Sequence, residues 1–175
     1  MPKIEIDLNP VIQITTDAIG QPGQRVFYLQ GRDKEQMITL LVEKVQVQSL
    51  AVGVDQFLSE VAQKYPSLAE ATADYVESEM TITPPVDPLF RVGEMGLGYD
   101  TDLDLMVLVA REILLDGQDA EEASVVRFWC TRSQLKAMCQ WGLKVAERGR
   151  PICPQCGEPM DPAGHFCPKK NGHKH

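Results

Sequence analysis

The stretch Ile38-Thr39-Leu40-Leu41-Val42-Glu43-Lys44-Val45-Gln46 lies without a gap over Val126-Arg127-Phe128-Trp129-Cys130-Thr131-Arg132-Ser133-Gln134. In each, a run of strand formers gives way to a helix start. In the second the start is explicit, because Thr131 with Gln134 three residues on forms a capping box. The same register puts Val47 on Leu135, Leu50 on Met138 and Phe57 on Val145. These are positions on the apolar face of a helix at three- and four-residue steps.

Working outward, each half reads as three strands and a helix. Val11–Ala18, Arg25–Gln30 and Met37–Val42 are predicted strands, separated by Gly20-Gln21-Pro22-Gly23 and Asp33-Lys34. A helix follows from about Val45 to Lys64, ending before Pro66. In the second half Phe90–Tyr99, Leu103–Leu114 and Ala123–Cys130 read as strands, with the acidic Asp116–Glu122 as a loop. The helix after Thr131 carries Leu135, Met138, Cys139, Gly142, Val145 and Ala146 on one face. Between the halves, Leu68–Glu79 reads as a short acidic helix. Thr83-Pro84-Pro85-Val86-Asp87-Pro88 cannot continue it, since proline lacks the amide donor and restricts its predecessor. The expectation is an α+β fold of segments 1–65, 66–88, 89–148 and 149–175. Its duplicated strand-strand-strand-helix unit forms one antiparallel layer, with both helices on one face and a C-terminal zinc knuckle.

The chain has 175 residues, 43% of them apolar and 24% charged, ordinary proportions for a globular protein. A chain of this length buries roughly 70% of its unfolded surface, so the main core needs no staples. The 17 Lys+Arg against 25 Asp+Glu give a net charge of −8, which argues against bulk nucleic-acid binding over a broad basic surface. The longest apolar run, Leu105 to Ala110, is far short of the ~20 residues a membrane crossing needs. The first residues have no apolar segment of signal-peptide length, so a cytoplasmic setting is expected. Thiols stay reduced there, and clustered cysteines are read first as a metal site.

Three of the five cysteines lie after Arg148. Cys153 and Cys156 form a C-x2-C knuckle, with Gly157 free to let the loop close. His165 and Cys167 complete a Cys₃His set suited to tetrahedral Zn²⁺. His173 and, after it, His175 are alternatives for the fourth ligand. Thiolates select zinc over magnesium or calcium, although iron is chemically compatible. Four protein ligands leave no position for water, so the zinc is read as structural; Glu158 and Asp161 would be the nearby bases of an open, catalytic site. Cys130 and Cys139 fall on a strand end and an apolar helix face, where they read as small buried hydrophobes. All three histidines stand at or after 165, which weakens any Cys/His or Ser/His nucleophile reading.

The remaining constellations read as structural. Gly93, Gly96 and Gly98 lack the Lys-Ser/Thr of a phosphate loop. Asp100, Asp102 and Asp104 lack the glycine and distal Glu of a Ca²⁺ loop. Trp129 and Trp141 are assigned to packing. Charge is uneven: from Arg148 onward there are five Lys/Arg and two Asp/Glu.

The run from Gly149 to Pro168, closing Asn171-Gly172, closely resembles the bacterial family known as domain of unknown function 3090. So do Gly20-Gln21-Pro22-Gly23 with Phe27-Tyr28-Leu29-Gln30, Val42-Glu43-Lys44, and Phe90-Arg91-Val92-Gly93. The resemblance extends over nearly the whole chain and implies zinc ligands at Cys153, Cys156, His165 and Cys167. It brings no activity with it. His173 departs from the aromatic that family members often carry after Asn-Gly.

These features lead to a zinc-binding interaction or adaptor protein, more readily non-enzymatic than enzymatic, with an undetermined protein partner, no membrane contact and an open oligomeric state. Two other readings stand beside it. One is RNA contact through the tail by Arg148, Arg150, Lys169, Lys170 and Lys174. The other is a zinc-dependent enzyme with an open metal position.

Overall fold

The computed structural model describes residues 3–148 together with 154–155. The order is β1 (Glu5–Leu8), β2 (Gln13–Ile19), β3 (Val26–Arg32), β4 (Met37–Val42), α1 (Lys44–Lys64), β5 (Val92–Asp100), β6 (Leu105–Glu112), β7 (Val125–Cys130) and α2 (Arg132–Glu147). The β-β-β-α succession does occur twice. Both helices start on a capping box, at the positions that the sequence overlay makes equivalent. Glu43 N–H donates to Gln46 Oε1 and Thr131 N–H to Gln134 Oε1, each at 2.8 Å.

The expected single antiparallel layer is not what forms. β2-β3-β4 is a three-stranded antiparallel sheet, and β1-β7-β6-β5 is a separate four-stranded sheet in which β1 runs parallel to β7. The reason lies in the inward side chains. Leu29, Leu40 and Val42 of one sheet and Met106, Leu108 and Phe128 of the other are all buried in one core. They bury one another face to face. At Gly31 the approach is so close that an added Cβ would lie 2.6 Å from the Phe128 ring.

The sheets are seamed at both edges. Val11 N–H donates to Trp129 O at 2.8 Å and the next amide, Ile12 N–H, to Arg32 O at 2.7 Å, so the chain crosses from one sheet to the other between them. At the opposite edge Leu89 N–H donates to Thr39 O and Leu41 N–H to Phe90 O. Beyond these seams α1 and α2 pack on each other, and each helix reaches the other half, α1 at strand β5 and α2 at the connection leading into β2. Gln46 Nε2 donates to Val92 O, and its counterpart Gln134 Nε2 to Val11 O and Ile12 O. α2 lies close on β2: a Cβ at Gly142 would sit 2.8 Å from Thr16 Cγ2 and 2.9 Å from Val47 Cγ1.

The segment Leu68–Glu79 is not a helix. Apart from a single 3₁₀ turn at Glu77–Glu79 it has no regular secondary structure, and it straps the molecule. Side chains hold its backbone. Arg132 Nη1 donates to Ala69 O, Ser133 Oγ accepts from Thr72 N–H, Thr15 Oγ1 donates to Met80 O, and Gln13 Nε2 to Glu79 O. Gln30 is 5% exposed and grips Thr83 twice: Nε2 donates to Thr83 O at 3.0 Å, and Oε1 accepts from Thr83 N–H at 2.9 Å. Among the described residues no helix is long and apolar enough to cross a membrane.

Candidate functional site

The sequence-predicted metal ligands Cys153, Cys156, His165 and Cys167 lie outside the described residues, as do His173, His175, Glu158 and Asp161. What the structure places is the platform they leave from, the C-terminal end of α2. The carbonyls of a helix's last turn have no intrahelical donors. Here Arg25 supplies them, with Nη1 donating to Val145 O at 2.7 Å and Nη2 to Ala146 O at 3.3 Å. The strap closes over the same end. Tyr75 meets Trp141 edge-on at 5.9 Å, the Arg148 guanidinium stands 4.8 Å from the Trp141 ring, and Glu77 lies 3.7 Å from Lys144 and 3.9 Å from Arg148.

Beside this platform is a cavity of about 360 Å³ between the β2–β3 turn, the end of β4 and the start of α1. Gly23, at φ 87°, takes a backbone conformation that L side chains rarely adopt and forms part of its wall. Three cations face it, Arg25, Lys44 and Arg91, against one carboxylate, Glu43. Arg91 Nη1 contacts Glu43 Oε1 at 2.6 Å, and Glu43 is itself fixed as the N-cap of α1. Arg25 stands 5.0 Å from the Phe27 ring centroid. Burial lowers its pKa, and the neighbouring charge of Arg148 lowers it further, with Asp17 opposing. Neither Arg25 nor Lys44 forms an ion pair among the described residues.

The three aspartates after β5 do not converge on a cation. Asp100 Oδ1 accepts from the amides of Asp102 and Leu103, closing the turn. Asp104 is taken by Arg132, Nε to Oδ1 at 2.9 Å and Nη2 to Oδ2 at 3.2 Å, and by the Tyr99 hydroxyl at 2.7 Å. The Arg132 hydrogen bonds hold the Asp104 carboxyl below the usual aspartate range. Burial, then the hydrogen bond to Asp104, pushes the Tyr99 hydroxyl up to about 12. Cys130 and Cys139 are buried free thiols, both pushed to about 12 by burial, and so poor nucleophiles. Among the described residues no group of three or more His, Cys, Asp or Glu is placed to hold a metal.

From the sequence Arg25, Lys44 and Arg91 take no site role, although Lys44 and Arg91 fall inside stretches that carry the family resemblance. They come from a hairpin turn, a helix start and a strand entrance, and no local spacing links them. Only the hint that the Gly20–Gly23 turn, the Glu43-Lys44 helix entry and Arg91 each border a strand end was available.

A family model described as "Protein of unknown function (DUF3090)" matches residues 7–167, nearly the whole chain. No curated protein and no solved structure matches.

Proposed function

We propose that this chain, which belongs to the DUF3090 family of proteins of unknown function, is a metal-organised interaction protein: a rigid α+β body carrying a Zn²⁺-binding tail. The observation that carries this reading is the donor set Cys153, Cys156, His165 and Cys167, four ligands of the right chemistry within fifteen residues. Three soft thiolates and an imidazole suit Zn²⁺, and with all four bound the metal has no open position for substrate. Its contribution is then order. A proline- and glycine-rich segment of this length cannot bury enough surface to order itself, and a closed site would give it one shape for a protein partner to read.

The end of α2 supports the reading. A contact module transmits little if it hangs from a frayed helix. Here the last helical carbonyls are held by Arg25, and Arg148 lies against Trp141. A second reading, RNA contact through the same tail, draws on its five Lys/Arg against two Asp/Glu. Such binding would be weak and would fall steeply with salt.

Metal analysis by native mass spectrometry, with X-ray absorption on the full chain, tests the reading. The expected result is one zinc per chain, three sulfur and one nitrogen neighbours, and loss of the metal on Cys167→Ser with the body still folded. A chain purified without stoichiometric metal sinks it. A water in the first coordination shell replaces it with the catalytic-zinc alternative.

A further inference from the structure

We infer that the cavity lined by Arg25, Lys44 and Arg91 is a binding site for a phosphate-bearing ligand. The first 147 residues carry 12 Lys/Arg against 23 Asp/Glu, so acids outnumber bases about two to one over the body. Yet this one concavity gathers three cations around a single carboxylate. Its surplus of two positive charges matches a phosphate monoester dianion, whereas a carboxylate would neutralise half of it.

Two of the three cations are held in place before any ligand arrives. Arg25 is pinned by two α2 carbonyls, at 2.7 and 3.3 Å, and backed by Phe27. Arg91 is oriented by Glu43, which the capping box fixes at the start of α1. Both guanidiniums keep further N–H groups for the planar two-point contacts that phosphate oxygens accept. Lys44 adds a point charge at the rim. Arg25 keeps its place although burial and the neighbouring Arg148 both disfavour its charge. An anion in the cavity would relieve that cost.

The cavity of about 360 Å³ takes a phosphate with part of the molecule that carries it. That molecule is either a small phosphorylated compound, whose monoester dianion matches the whole surplus, or an RNA backbone, which would need two successive phosphodiesters to match it; the charge-assisted contacts are the same in kind. The inference does not rest on the zinc reading, because no residue of the cavity is a metal ligand.

The test titrates the full-length chain with inorganic phosphate, pyrophosphate and a nucleoside monophosphate by calorimetry, and with a single-stranded RNA oligonucleotide by fluorescence polarisation at low salt. Lys44→Gln and Arg91→Gln are the diagnostic variants. Both positions are exposed, and circular dichroism melting checks that the fold is kept. Arg25 is left intact because it also caps α2. Saturable binding is expected, weakened about tenfold or more by each substitution, as for loss of a charge-assisted contact. Retention of that binding in Cys153→Ser is also expected. Small phosphates binding more tightly than RNA identifies a free phosphorylated compound; the reverse order, with the same sensitivity to Lys44 and Arg91, identifies a polymer backbone. No saturable binding of any probe, binding indifferent to both substitutions, or binding lost in Cys153→Ser overturns the inference.

Discussion

At the scale of single residues, the meeting of the two sheets depends on one missing methyl group. Phe128 is fully buried, and Gly31 opposite it leaves no room for a Cβ. Gly31→Ala is expected to cost about 1–3 kcal/mol in urea unfolding, the usual range for overpacking a core. Gly96→Ala, whose Cβ would meet nothing within 4 Å, is the control and should stay within about 0.5 kcal/mol. Equal effects would sink the explanation. The Tyr99–Asp104–Arg132 group gives a pH prediction with two signs. Asp104 has a depressed pKa, so its contribution is present above the ordinary aspartate range and is lost as pH falls through its folded value. Tyr99 has a raised pKa, so its contribution is present below the ordinary tyrosine value near 10 and is lost as pH rises toward about 12. Ultraviolet titration should show a phenol ionising toward about 12, and earlier in Asp104→Asn although still above normal, since burial is the larger cause. The absence of a late-ionising phenol, or a late one that Asp104→Asn leaves unmoved, would contradict the arrangement. None of this was legible in Asp100-Thr101-Asp102-Leu103-Asp104. The carboxylate's role is set by an arginine on α2 that local spacing cannot reveal.

At the scale of elements, what the sequence showed follows periodicity closely, and what it hid follows tertiary pairing. The periodicity predicts α1 from about Val45 to Lys64 and the helix runs Lys44–Lys64; β4 matches at both ends. The overlay of Ile38–Gln46 on Val126–Gln134 found equivalent positions that do equivalent work, since Gln46 and Gln134 each cap their own helix and reach the opposite half. β1 was missed. Its signal was present, as Ile4, Ile6 and Leu8 alternate with Glu5 and Asp7, but four residues are a short run. Its stability comes from pairing with β7, where Arg127 spans Glu5 and Asp7 at 3.2 and 3.1 Å. The strap misled for the opposite reason. Ala69, Ala71 and Ala73 favour helix locally, but side chains from β2 and α2 claim backbone groups that a helix would have used. Gln30 holds the continuation of the strap at Thr83 in the same way and gives a direct test of how that end is fixed. Gln30→Leu leaves Thr83 N–H and C=O without their partner, with an expected loss of about 2–3 kcal/mol. Amide exchange at Thr83 should accelerate with it; unchanged protection there would mean that the strap is held by something else.

At the scale of the whole molecule, the core and the expected metal site are separable. The core cluster of the described residues runs from Leu8 to Ala146 and draws on both sheets and both helices. The donor set begins at Cys153, beyond the last residue of that described core. A chain ending at Arg148 should therefore keep the body's cooperative thermal transition, and stripping metal from the full chain should leave that transition in place. Cysteine reactivity then reports the two parts at once. In the metal-loaded chain few thiols should react with a thiol reagent near pH 8. After chelation three should react, those of Cys153, Cys156 and Cys167. Cys130 and Cys139, buried and pushed to about 12, should react only once the body unfolds. A raised thiol pKa stabilises the fold below the ordinary cysteine range and ceases to do so as pH climbs toward 12, so mildly alkaline assay conditions do not open the core. Five thiols reacting together on chelation would mean that the metal holds the body as well as the tail. Three reacting at once, with no change on chelation, would remove the metal from the account and leave the body's cationic cavity as the chain's binding feature.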